Sequence, residues 1–211
     1  MTPTREEFYN ALIERHGADN QKKFDSATVA ICGLGGLGSN IAICLARAGV
    51  GKLILIDFDK VDVSNLHRQQ YKADQVGRPK PDALSDNLNE INPYITIETH
   101  NTKVTEENVI ELTKEADIVC EAFDKAENKA MLVNAILENA PEKYLVSSSG
   151  MAGFGSANLI KTKKISKRFF LSGDSVSDVN DGIGLISSRV MVCAAHEAHM
   201  ALRIIMGEAT V

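Results

Sequence analysis

Residues 31–40 read ICGLGGLGSN. Gly33, Gly35 and Gly38 stand at the spacing G-x-G-x-x-G, and Gly36 adds a fourth glycine. Just before them, TVAIC at 28–32 is a short apolar run that reads as a buried strand. Just after, GSNIAICLARAG at 38–49 reads as a helix closed by Gly49. A strand, a glycine loop and a helix in that order are what a phosphate-binding loop needs. Glycine lets backbone N–H groups approach the phosphate, and the helix N-terminus favours its negative charge. NAD, FAD and ATP all satisfy this much. A P-loop does not: in GVGKL at 49–53, Ala46 stands where that motif has its first Gly, and Leu53 where it has Ser or Thr.

The pattern continues outward from the loop. KLILID at 52–57 and ADIVCEAF at 116–123 are buried runs, and YITIETH at 94–100 and KYLVSSS at 143–149 are further strands. Between them, PDALSDNLNEI at 81–91, TEENVIELTKEA at 105–116 and ENKAMLVNAILEN at 127–139 have helical spacing. Strands alternating with helices predict an α/β, Rossmann-like, doubly wound and mainly parallel sheet, whose ligands bind beyond the carboxyl ends of the strands. After residue 150 the pattern changes. GMAGFGSANLIKT and KRFFLSGD predict two later antiparallel strands, 172–184 a long polar loop, and 185–206 an apolar C-terminal helix. REEFYNALIERHG at 5–17 predicts an amphipathic helix. The reading is one domain over 1–211: a helical segment at 1–26, a nucleotide-binding core at 27–150, and strands, loop and helix at 151–211.

Composition narrows the class. The 211 residues suit one domain with a large core. A net charge of −5 disfavours a nucleic-acid partner. The one basic cluster, KTKK at 161–164 with Lys167 and Arg168, reads as a solvated hairpin. No apolar run reaches membrane-spanning length and the polar start is no signal peptide, so a cytoplasmic protein is expected. Cys32, Cys44, Cys120 and Cys193 form no C-x-x-C pair, so neither zinc nor a disulfide framework is expected.

The residues downstream of the glycine loop separate the nucleotides. Asp57, in DFD at the end of the second strand, stands where an acid binds ribose hydroxyls. KVDVSNLHRQQY at 60–71 then gathers Asn65, Arg68 and Gln69. A cation and two amides at a strand's carboxyl edge suit a triphosphate better than a dinucleotide reductase. GRPK at 77–80 adds Lys80 at a helix start. Asp124 comes just after the third buried run, where a carboxylate suits Mg²⁺.

GLGGLG, DFDKVDVSNLHRQQY, GRPK and EAFDKAENK, in that order, resemble the ThiF/MoeB family, bacterial relatives of ubiquitin-activating enzymes. The likeness covers roughly residues 20–160. Chain length and GMAGFGSANLIKT look most like the compact ThiF-like proteins of thiamine biosynthesis. The resemblance implies ATP-dependent adenylation of the C-terminal glycine of a small ubiquitin-like sulfur carrier ending in Gly-Gly. It implies that the backbone of Gly33, Gly35, Gly36 and Gly38 lies under the nucleotide and that Asp57 binds the ribose. It places Asp59 near the phosphates and metal, and Asn65, Arg68 and Gln69 on the phosphates. By the same resemblance, Lys80 is expected to neutralise the α-phosphate side and Asp124 to hold Mg²⁺. Arg68, Lys80 and Asp124 are the expected catalytic set, and a homodimer is expected. Arg5 and Arg15 are candidates for an arginine lent to a partner's site, Arg15 reading more simply as a solvated residue. Two alternatives stay open: a MoeB-like role in molybdopterin synthesis, and an NAD(P)-binding oxidoreductase.

The chain departs from the family's pattern in one telling place. Many relatives carry a cysteine in the loop that crosses over after the sheet, but here none occurs between Glu121 and Val192. Cys193 falls in the last helix and reads as a packed thiol. Adenylation without a covalent enzyme–carrier bond is therefore expected. His196 and His199, at i and i+3 on the same helix, lack a third ligand and read as structural.

Overall fold

The computed structural model describes residues 2–180 and 182–211; Asp181, in the expected polar loop, lies outside them. The strands are β1 (Thr28–Cys32), β2 (Lys52–Asp57), β3 (Thr96–Asn101), β4 (Ile118–Glu121), β5 (Tyr144–Ser148), β6 (Lys161–Lys164) and β7 (Phe169–Gly173). The helices are α1 (Arg5–His16), α2 (Ala18–Ser26), α3 (Gly36–Ala48), α4 (Lys80–Ile91), α5 (Val109–Leu112), α6 (Ala126–Asn139) and α7 (Ser187–Ile205). The strands form one sheet in the order β3-β2-β1-β4-β5-β7-β6.

β1 to β5 are parallel, as the alternating pattern predicts. Strand side chains alternate between the two faces. Val29 and Ile31 of β1 join the layer that holds α3, α4 and α7, whereas Ala30 and Cys32 join the layer of α5 and α6. A sheet covered on both faces needs strands that are apolar throughout, which is how TVAIC, KLILID and DIVCE read.

Three expectations are refined. Of the two late strands only β6 is antiparallel, to β7, while β7 itself runs parallel to β5. β6 is the KTKK run: an edge strand whose mostly exposed lysines discourage further pairing. The helix read over 105–116 shrinks to four residues. Asn108 fixes its start: its side-chain oxygen accepts from Thr105 N at 2.8 Å, and its amide donates to Lys103 O at 3.0 Å. Finally, α1 forms behind a Thr4–Glu7 capping box, but none of its residues is buried. Its apolar side is half-buried: Phe8 packs on Tyr94, ring centroids 5.9 Å apart, and Leu12 lies against Gly49.

Candidate nucleotide site

The carboxyl ends of β1, β2 and β4 converge on the glycine loop. Gly33 follows β1 with φ +93°, and its N–H donates to Ile56 O of β2 at 2.9 Å. On its other side a Cβ at Gly33 would lie 2.8 Å from the Ala122 carbonyl oxygen, just past β4. Both the backbone angle and the wall therefore demand glycine. Gly38 meets the loop from within α3: a Cβ there would fall 1.8 Å from Gly33 O. Gly36, the extra glycine, faces α7 and Arg68. A Cβ at Gly36 would sit 3.0 Å from Val190 Cγ1 and 3.4 Å from Arg68 Cγ. The motif spacing leaves that fourth glycine unexplained; helix α7 and Arg68 supply the reason for it.

Asp57 ties the loop to β2. Its carboxylate is buried and accepts from Leu34 N at 2.6 Å and from Asp59 N at 2.8 Å. A carboxylate offers about four acceptor positions, so roughly two remain unfilled by these bonds. Lys80, buried at the start of α4, donates to Asp59 Oδ2 at 3.0 Å and stands 4.0 Å from Asp57. An aliphatic stem in the core with its charge at the cleft delivers a cation without a long mobile arm. Tyr71 closes the back of the loop by donating to Leu34 O at 2.8 Å. Burial, with Asp57 and Asp59 nearby, pushes its hydroxyl pKa up, so it stays a donor.

The NLHRQQY segment opens with a short 3-10 turn at Val63–Asn65. Asn65 O accepts from both Arg68 N and Gln69 N at 3.1 Å, which turns the two side chains toward the glycine loop. Asn40 of α3 fixes this segment, donating to Arg68 O at 3.2 Å and accepting from Gln70 Nε2 at 2.7 Å. Two polar atoms are then left buried without partners: Arg68 Nε and Gln69 Oε1. A native buried polar group is normally satisfied, so such a pair beside a glycine loop marks a place where a ligand belongs. Asp124 lies opposite. It is exposed, takes no hydrogen bond among the described residues, and acts electrostatically on Arg68. Burial lowers the Arg68 pKa and Asp124 opposes that shift.

The structure thus brings Gly33, Gly35, Gly36, Gly38, Asp57, Asp59, Lys80, Arg68, Gln69 and Asp124 to one end of the sheet. Asn65 serves the site through its backbone; its own amide donates to Ser64 Oγ at 3.2 Å. Magnesium is commonly held by one or two carboxylates together with substrate phosphates and waters. The exposed, unbonded Asp124 beside Arg68 fits such a role, although no group of three His, Cys, Asp or Glu is close enough for an all-protein site among the described residues. His196 Nδ1 pairs with Thr162 Oγ1 at 3.1 Å.

A family model describing the ThiF family matches residues 9–211. The chain belongs to the ThiF family. Among curated proteins it is 32% identical over 141 residues to a sulfur carrier protein adenylyltransferase of Thermus thermophilus, covering 66% of this chain and 47% of that protein. It is 43% identical over 115 residues to a molybdopterin-synthase adenylyltransferase of Haemophilus influenzae, covering 54% and 47%. The chain spans less than half the length of the curated relatives it matches. Its fold is that of the Escherichia coli tRNA N6-threonylcarbamoyladenosine dehydratase TcdA, solved with ATP: TM-score 0.86 at 23% identity, covering 99% of this chain and 98% of that one. No helix among the described residues is long and apolar enough to cross a membrane.

Proposed function

We propose that this ThiF-family chain uses Mg-ATP to adenylate the C-terminal glycine of a ThiS-like sulfur carrier ending in Gly-Gly, in thiamine thiazole formation. The observation that carries the nucleotide part is the pair of buried, unpartnered polar atoms, Arg68 Nε and Gln69 Oε1, on side chains that border the glycine loop. The carrier part is supported by the Thermus relative, whose name is sulfur carrier protein adenylyltransferase.

In the reaction, a carrier carboxylate oxygen bonds to the α-phosphorus and pyrophosphate leaves with the bridging oxygen. The nucleophile is already ionised at neutral pH, so the site needs no general base. What remains is positioning and charge neutralisation. The glycine loop admits the phosphates, Asp57 holds the ribose, and Arg68 and Lys80 meet the charge that builds on the α-phosphate. Asp124 would hold Mg²⁺, which when bound adds positive charge at the phosphates.

Losing one preorganised contact of this kind costs ~3 kcal/mol, about a hundredfold in rate. Arg68→Ala and Asp124→Ala are each expected to cut carrier-dependent pyrophosphate–ATP exchange by at least that factor while the protein stays folded. Exchange at the wild-type rate would remove the residue concerned from the site. Supplying ThiS-like and molybdopterin-type carriers side by side, with intact mass reading the acyl-adenylate, identifies the carrier.

A further inference from the structure

Directly beneath the wall of the glycine loop lies a buried charge cluster that the adenylation chemistry does not use. Glu121, the last residue of β4, is fully buried. Its Oε1 accepts from Phe123 N at 2.7 Å and from Lys129 Nζ of α6 at 3.2 Å. Its Oε2 accepts from Lys129 Nζ at 2.9 Å and from Ser147 Oγ of β5. Both carboxylate oxygens are thus committed to donors from three elements. The bond to Phe123 N bends the chain straight after β4, and that bend puts the Ala122 carbonyl and the Phe123 ring against Gly33. The next residue is Asp124.

A second acid, on α7, lies within electrostatic reach of Lys129. Glu197 of α7 is fully buried, and neither of its oxygens has a hydrogen-bond partner. Ser148 Oγ, close to it, is also unpartnered. Burial foremost pushes the Glu197 carboxyl up, to about 8; Lys129 and Ser148 oppose this and Glu121 reinforces it. The thiols of Cys120 and Cys193, which also feel Glu197, are themselves pushed up by burial and stay neutral. Below that pH, Glu197 is a neutral acid and Lys129 serves Glu121 alone. Above it, two carboxylates compete for one ammonium.

We propose that Glu121 is a positioning residue for the nucleotide cleft. It clasps the 122–124 turn against Gly33 through Phe123 N, Lys129 and Ser147, and Glu197 is the group that can draw Lys129 away. The proposal rests on the cleft being a nucleotide site, and one of its readouts does not need the nucleotide. In Glu121→Gln the amide has a single acceptor oxygen, so one of the two donor sets on Glu121 loses its acceptor. Changes in residues that orient a site's contacts typically cost 10–100-fold in affinity or activity.

The test is calorimetric titration of Mg-ATP at pH 7 and 9, with NMR-detected hydrogen exchange of the Phe123 amide in the ligand-free protein. E121Q is expected to weaken Mg-ATP about tenfold at pH 7 and to speed Phe123 exchange at least tenfold. Wild type is expected to lose affinity between pH 7 and 9, and E197Q to lose none. A folded E121Q with wild-type Phe123 exchange overturns the proposal, as does the same pH dependence in wild type and E197Q. A wild type that binds no ATP sinks the nucleotide reading instead, and the Phe123 exchange rates then decide the clasp alone. Should E121Q fail to fold, the E197Q pH comparison still decides it.

Discussion

Gly36 offers a quantitative test because its surroundings nearly accommodate a methyl group. In Gly36→Ala the new Cβ would meet Val190 Cγ1 at 3.0 Å, where carbon atoms ordinarily rest roughly 3.5–4.0 Å apart. Gly36 opens α3 and has no positive φ, so alanine itself favours the helix by about 0.5–1 kcal/mol. Overpacking typically costs about 1–3 kcal/mol. The net loss of stability is therefore expected near 1 kcal/mol. Val190 is buried, and Val190→Ala alone is expected to cost about 2 kcal/mol in lost burial and cavity. Together the two changes relieve each other. With Cγ1 gone the overlap disappears and the helix gain remains, so the double variant is expected to be about 1–2 kcal/mol more stable than the sum of the singles predicts. Urea denaturation followed by circular dichroism measures all four corners of the cycle. Additivity within about 0.5 kcal/mol would mean that the two side chains do not meet, since uncoupled sites behave that way. Nucleotide affinity should respond differently. The same Cβ would lie 3.4 Å from Arg68 Cγ, an ordinary contact distance, so Mg-ATP binding is expected to change less than about threefold in both proteins carrying Gly36→Ala.

Asp174 and Arg189 form a buried ion pair, and Arg189 also donates to Gly155 O and Ser156 O. Burial works against the Asp174 charge, but the N–H groups of Ser177 and Val176, the Ser177 hydroxyl and Arg189 hold its pKa down at about 2. A depressed carboxyl stabilises the fold above its unfolded pKa and stops doing so as pH falls through the folded one. The melting temperature is therefore expected to fall between about pH 4 and pH 2, and Asp174→Asn to flatten that part of the profile; an unchanged profile would count against the pair. Cys193 is buried, and burial raises its thiol pKa. Native protein is expected to resist thiol reagents at Cys193 and to form no reducible adduct with carrier and ATP; an intact-mass adduct at that residue would show a covalent step.

The fold was legible wherever a strand is buried on both faces. TVAIC, KLILID and DIVCE are continuous apolar runs because helices cover both sides of β1, β2 and β4. β6 has no such signature: KTKK becomes a strand only because it pairs with β7. The side chains that gather at this end of the sheet stand out in the sequence as stretches of unusual chemistry after β2, such as NLHRQQY and GRPK. The clasp at Glu121 does not. Its partners come from β5, α6 and α7, which only the folded chain brings together. One signal was present in the sequence: acids set among small and apolar residues, Glu121 in IVCEAF and Glu197 after CAAH. A charge placed there must be paired, neutral or functional.

The place of β1 between β2 and β4 also bears on the order in which the molecule assembles. β2 is the next strand in the chain and pairs with β1 after a short excursion through α3. β4 reaches the other side of β1 only after α3, β2, α4, β3 and α5 have been traversed, so its loop-closure cost is larger and its contacts are non-local. The Gly33 loop can thus meet β2 early, while the wall that completes it, Ala122, arrives with β4. A nucleotide that recognises only the completed loop would bind after this step and stabilise the finished chain by mass action. Refolding in the presence of ATP should then yield more native protein without a faster first phase.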